Sequence, residues 1–254
     1  MATLGLNVKA VYMEVDVVPE EAIGEATRIL ELAGSGTSAT VAAIIGGRVG
    51  SPEFAKYLGK FASCLLMKGV RQVLHLQDPG YCLQELFVHN VILLGEQGKS
   101  FDLCMRPTDL NDGVKLVTQC PDTRFVLDHC GCPDLKSFRK LRAGETEPSH
   151  TADEWKRSIQ AFAKCPNVII KISGVIENLS DGADASDLAP AVTHCLESFG
   201  PDRVVFGSNW PVCLLGGPFK QWVEFLSQII GGTPEADQRK LWFENAIKFY
   251  SLQV

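Results

Sequence analysis

Short runs rich in Val, Ile, Leu and Phe alternate with longer amphipathic stretches along the whole chain. The strand candidates are 8–17, 39–47, 68–75, 101–107, 124–129, 167–174 and 203–211. Most are nearly continuous in apolar residues, the pattern of parallel strands covered on both faces. Between them lie helix-like segments at 19–33, 52–64, 82–97, 109–119, 153–164, 187–199 and 219–230, with a last one over about 234–250. Pro19 before Glu20 and Glu21, and the run Ser51-Pro52-Glu53, are helix starts. One unbroken strand–helix series predicts a single parallel-sheet domain over 1–254. The count of seven strands is one short of a closed eight-stranded barrel. The loops 143–152 and 180–188 are the expected excursions from this framework.

Composition narrows the function. Hydrophobic residues are 46% and charged residues 21% of the chain, enough apolar content for a sizeable core. A net charge of -6 argues against nucleic acid or an anionic membrane as partner. No apolar run approaches the roughly 20 residues needed to span a bilayer. The N-terminus lacks a basic region followed by an apolar stretch, so no signal peptide is expected. Nine scattered cysteines, an odd number, fit reduced thiols in a cytoplasmic protein better than a disulfide framework. Cys130 and Cys132 lack the C-x₂-C spacing of a zinc site and read as small residues lining a strand-end loop.

In a parallel α/β sheet the ligand site lies just past the C-terminal ends of the strands. Those positions hold Glu14 and Asp16, Arg48, Arg71 and His75, Arg106, His129, Lys171 with Ser173, and Ser208 with Asn209. His129 is the sharpest candidate: it ends a strand on a turn set by Gly131 and Pro133, where an imidazole can orient water or polarise a carbonyl. The alternative is a hydrogen-bonded strand-end histidine, and His75 carries the same pair of readings. His89, His150 and His194 fall in helices or the loop and read as surface residues. Arg71 and Arg106 suit a substrate with a carboxylate or several hydroxyls, unless one is an interior residue paired with Glu14 or Asp16. Lys171 alternates with apolar neighbours and is expected to point to the interior, where a lysine needs a partner. Of the four tryptophans only Trp210 is placed to wall a pocket. No GxGxxG, phosphate-binding loop or GxSxG motif is present.

The series KGVRQVLH, FVLDHCGCP, NVIIKISG, RVVFGSNWPV and WFENAIKFYSL, in this order, resembles the amidohydrolase-related family. Within it the chain is most similar to the sugar-lactonase and 2-pyrone-4,6-dicarboxylate lactonase branch. The resemblance implies a TIM (β/α)₈-type barrel and hydrolysis of a lactone by activated water, often without a metal. Two departures stand out. The family's first strand carries a His-x-His pair that occurs nowhere here, so the chain is expected to start at the second strand, N-terminally truncated. The family also ends its last strand on GSDWP or GTDWP, the Asp serving as general base or metal ligand. Asn209 stands in that place, and an amide takes no proton near neutral pH.

These readings predict a metal-independent lactone hydrolase with no cofactor, acting on a small-molecule substrate such as an aldonolactone. His129, Asn209 and Lys171 are the expected catalytic residues. Arg71, His75, Arg106, Ser208, Trp210 and Glu14 are the expected substrate-binding residues. Two alternatives stay open: a metal-dependent decarboxylase or hydrolase of the same superfamily, and a non-catalytic binding protein on this fold.

Overall fold

The computed structural model describes residues 8–179 and 182–254. Seven parallel strands form one sheet in chain order: β1 (Ala10–Met13), β2 (Thr40–Gly46), β3 (Met67–Val73), β4 (Ser100–Cys104), β5 (Arg124–Leu127), β6 (Val168–Ile172) and β7 (Val204–Phe206). Helices connect them: α1 (Ala22–Gly34), α2 (Phe54–Gly59), α3 (Glu85–Glu96), α4 (Leu110–Gln119), α5 (Ala152–Ala163), α6 (Ala185–Phe199) and α7 (Phe219–Ile230). After α7 come α8 (Glu235–Arg239), a π turn over Lys240–Glu244, and α9 (Asn245–Tyr250). The sheet curls as an open TIM-type barrel, with β1 and β7 at its edges. No helix among the described residues is long and apolar enough to cross a membrane.

Side-chain alternation splits the sheet into two faces. Outward residues such as Phe101, Leu103, Phe125, Leu127, Ile170 and Val204 join the main core beneath the helices. Each such side chain contributes about 1.5–3 kcal/mol on burial. Inward residues divide again. Ile44, Val126, Ile169 and Val205 close over Tyr250 of α9 in a small second core at one end of the curl. One step further along the strands, the inward positions turn polar: Arg71, Asp102, Cys104, Asp128, Lys171 and Ser173.

Most strands are shorter than the sequence pattern implies. The run 8–17 forms a strand only over Ala10–Met13; the Glu14 N–H still reaches the Ile44 carbonyl at 3.1 Å, and the chain then turns at Asp16, φ 50°. The run 203–211 contributes only Val204–Phe206, ending before Gly207. The helix expected over 52–64 is a single six-residue segment, Phe54–Gly59, followed by turns. Residues 19–21 form a 3-10 turn ahead of α1. Part of each expected excursion is ordered by a capping box. Thr151 and Glu154 exchange bonds at the start of α5, and Asp184 with Asp187 does the same for α6. Ser180 and Asp181 of the second excursion lie outside the described residues.

Two of the three histidines expected at the surface depart from that role. His150 is buried, and its Nε2 accepts the Asp134 N–H at 2.8 Å. His194 is half-buried with its ring 5.5 Å from that of Trp155. The His150 bond thus ties the 143–152 excursion to the loop after β5, and His194 joins α6 to α5.

Candidate active site

The inward polar positions form one charged network. Lys171 on β6 donates to Asp102 Oδ2 of β4 at 2.9 Å and also to Asp128 Oδ1, just past β5. Arg71 on β3 reaches the other oxygen of Asp128 at 3.2 Å, and Glu14 at 2.6 Å. Its second terminal nitrogen donates to the Glu14 backbone carbonyl at 2.6 Å. Buried charges persist only when paired in this way. Lys171 thus occupies the interior with two carboxylate partners. Arg71 pairs with Glu14, as the alternative reading of that arginine had it.

The electrostatics differ between the two aspartates. Burial is the largest influence on Asp102 and pushes its carboxyl up to about 6 against the pull of Lys171. Burial also disfavours the charged form of Asp128, but Lys171, His129 and Arg71 outweigh it and hold that carboxyl below its usual range. Asp128 is therefore the network's fixed negative charge. Asp102 titrates within reach of neutral pH, and its Oδ1 is buried without a partner among the described residues.

His129 follows Asp128 in a left-handed backbone conformation, φ 54°, and Cys130 and Cys132 share that geometry. Two glycines make room for this turn. A Cβ on Gly174 would lie 2.3 Å from His129 Cβ, so only glycine allows the segment after β6 to press against the imidazole. Gly131 also takes positive φ, 69°, beneath Ile159 and Leu110. The imidazole Nδ1 sits 3.0 Å from Ser173 Oγ. That bond fixes the ring plane.

A cysteine stands between the two strand-end histidines. Cys104 Sγ is 3.7 Å from His75 Nδ1. Contacts from Cys132 first, and from His129 and His75 after it, hold the Cys104 thiol well below the ordinary range despite its burial. The same contacts act in reverse on the histidines. Burial favours neutral His129, but Cys104 and Asp128 outweigh it and raise its pKa; Cys104 likewise raises that of solvent-exposed His75.

The remaining expected residues sit around this centre. Arg106 is tied to Asp109 at 2.6 Å and to the backbone carbonyls of His75 and Gln77, so it braces the two loops after β3 and β4. Ser208 Oγ accepts the Trp210 N–H, and Trp210 itself is 62% exposed. Asn209 Nδ2 donates to Glu177 Oε1 at 2.5 Å. Gly216 permits this meeting, since a Cβ there would collide with Ile176 and Glu177 backbone atoms. Beside the ring, over the ends of β1 and β2, lies a cavity of about 280 Å³ that shares Glu14 and Arg71 with it.

Sequence reasoning passed over Asp102, Cys104, Asp128 and Glu177. The first three carried a readable signal. Asp102 and Cys104 alternate with apolar neighbours in FDLCM, the same signal that drew attention to Lys171, and Asp128 ends the apolar run FVL where polarity resumes. Glu177 carried none, because a loop brings it to Asn209.

The donor set bears on metals. Ligand atoms of Cys104, Asp128 and His129 lie within 4.8 Å of one another. Asp128 is already bridged by Lys171 and Arg71, so a cation there would meet two positive neighbours. The Asn209 amide points its N–H at Glu177. With Asp128 bridged by two cations and an amide at Asn209, Cys104 and His129 are the donors of this group left unpaired with a cation.

Comparison with known proteins fits this architecture. The amidohydrolase family model matches residues 1–252. The chain is 27% identical over 239 residues to an L-fucono-1,5-lactonase of Burkholderia multivorans, covering 90% of this chain and 77% of that one. It is 25% identical to an L-rhamnono-gamma-lactonase of Scheffersomyces stipitis, covering 81% of this chain and 66% of the other. Among solved structures, a Burkholderia multivorans amidohydrolase with bound zinc superposes with a TM-score of 0.86 at 23% identity, covering 100% of this chain and 86% of that one. From the strand order, the inward polar ring and the match over nearly its full length, the chain belongs to the amidohydrolase family of hydrolases.

Proposed function

We propose that the protein hydrolyses the ester bond of a small lactone, with His129 as the base that activates water and no metal required. The observation that carries this reading is His129 itself. Its Nδ1 is held by Ser173 Oγ, and its ring lies between Asp128 and Cys104 at the C-terminal face of the strands. A positioned imidazole there takes a proton from water as the oxygen adds to the lactone carbonyl carbon. The tetrahedral oxyanion then collapses, the ring C–O bond breaks, and the imidazolium returns the proton to the departing ring oxygen. Fixed positive charge from Lys171 and Arg71 offsets Asp128 and keeps the site close to neutral as the oxyanion forms. Asn209 and Lys171 orient the substrate or polarise its carbonyl in this reading. His75, Arg106, Ser208 and Trp210 border the entry.

Support comes from the sugar-lactone activities named for two relatives and, on the question of metal, from Asn209, an amide that donates to Glu177. The test is proton release from a panel of lactones in excess chelator. Turnover that survives chelation and is lost in His129→Ala upholds the reading. Turnover that chelation abolishes removes metal independence, and inertness toward every lactone removes the hydrolase reading.

A further inference from the structure

The turn after β5 folds a thiol back toward the sheet at a cost in backbone strain. His129, Cys130, Gly131 and Cys132 all take positive φ, at 54°, 52°, 69° and 51°. Only glycine visits that region freely, so a run with three side-chain-bearing residues persists only where its surroundings enforce it. The Gly131 N–H bonds the Asp128 carbonyl at 2.8 Å, and the Cys132 N–H bonds the His129 carbonyl at 2.7 Å. Cys132 therefore stays within one turn of Asp128 instead of running on past the sheet. Leu103 of β4 pairs with Leu127 of β5, so the next residues along, Cys104 and Asp128, are neighbours too. The turn returns Cys132 to Cys104, where the two thiols share a side-chain hydrogen bond.

The surroundings of this pair are those of a reactive thiol. Cys104 Sγ lies 3.7 Å from His75 Nδ1 and within 4.8 Å of a ring nitrogen of His129. Imidazoles beside a sulfur stabilise its thiolate, the form that oxidants attack. Cys104 keeps 4% of its surface accessible next to exposed His75, and Cys132 is half-exposed, so the pair opens to solvent at the ends of the strands. Cys130 and Cys195 also meet thiol to thiol, but both are fully buried.

We propose that Cys104 and Cys132 are an oxidation site, a thiol pair that hydrogen peroxide converts to a disulfide. The Cys104 sulfur attacks one peroxide oxygen: the S–O bond forms, the O–O bond breaks, and the departing hydroxide leaves as water with the thiol proton. Cys104 is then a sulfenic acid. The Cys132 sulfur attacks that of Cys104: the S–S bond forms, the S–O bond breaks, and hydroxide again leaves as water with the Cys132 proton. The two thiols give up two electrons in all, and one peroxide takes them. The disulfide removes a negative sulfur from beside His75 and His129, so the state of the pair is felt at both imidazoles. This site goes beyond the lactone-hydrolase reading and stands without it.

The test is scored by mass. Reduced parent protein is treated with hydrogen peroxide, its remaining thiols are alkylated in denaturant, and its tryptic fragments are analysed. The fragment carrying Cys104 is expected to be joined to the one carrying Cys132, and dithiothreitol to undo the link. Cys165, half-exposed and donating to the Ala161 carbonyl, is the reference thiol and is expected to be oxidised at least about tenfold more slowly. Cys132→Ser is expected to lose the link. Fragmentation of the joined parent peptides assigns the linked sulfur as well, so the result does not depend on that variant folding. A parent that forms no link, a link that runs through Cys130, or oxidation of Cys165 as fast as Cys104 overturns the proposal. Lactone turnover enters none of these readouts, so the hydrolase reading and the oxidation site fail separately.

Discussion

Lys171 Nζ lies 2.9 Å from Asp102 Oδ2 across the inside of the curled sheet, joining β6 to β4. Asp128 completes the bridge on the other side of the ammonium. Lys171→Met leaves both carboxylates in place without that cation. The expected loss of unfolding free energy is about 3–5 kcal/mol, read from urea denaturation. Adding Asp102→Asn to the Met variant removes one stranded charge and is expected to recover part of the loss. A single variant within about 1 kcal/mol of the parent would show that the bridge carries no stability.

The two aspartates give stability opposite slopes with pH. Asp128 has a lowered folded pKa, so its contribution is present above its unfolded value of about 3.9 and is lost as pH falls through that value and below. Asp102 is raised to about 6, so its contribution is present below about 3.9 and is lost as pH rises from there to about 6. Melting temperature followed from pH 3 to pH 8 is therefore expected to show a decline across the about 4 to 6 window that Asp102→Asn flattens. An unchanged profile in that variant would place the titration elsewhere.

Activity should track the protonation of His129. A base must be neutral to accept the water proton, and Cys104 and Asp128 raise this imidazole above its ordinary value of about 6.5. Lactone turnover is thus expected to rise with pH along a limb centred above about 6.5, and Cys104→Ala to shift that limb downward. His129→Ala is expected to lower kcat by about 10²–10⁴-fold. A limb that stays put in Cys104→Ala would break the link between the thiol and the base.

Gly174 sets the position of that imidazole. Its φ is +66°, and an added Cβ would fall 2.4 Å from His129 Cγ. Gly174→Ala combines left-handed strain with a collision against the ring, a cost of about 1–3 kcal/mol from the strain alone. Turnover is expected to fall along with stability. Retained turnover and an unshifted denaturation midpoint would mean the two segments separate freely.

Asn209 is matched to Glu177. Asn209→Asp places two carboxylates where the amide now donates at 2.5 Å, so one of them must take up a proton. The variant is expected to lose about 0.5–3 kcal/mol at neutral pH and to regain stability as pH falls toward the carboxylate range. A variant as stable as the parent at pH 8 would show that Glu177 turns away freely.

The hydrophobic pattern determined the parallel order, the helix–strand alternation and the count of seven strands, because strands covered on both faces must be apolar almost throughout. It also placed His129 and Lys171 at the right end of the sheet, since polarity resumes where strands stop. The lengths of β1 and β7 were not legible there, for an apolar run continues into a turn as readily as into a strand. Partnership was decided by the tertiary structure alone. Asp102 and Lys171 are 69 residues apart, and Glu177 and Asn209 are 32 apart. Nothing local marks either pair, because each depends on how neighbouring strands register and on where two loops meet. Which side chains carry charge at the sheet's end is written in the sequence; the curl of the sheet decides which of those charges cancel.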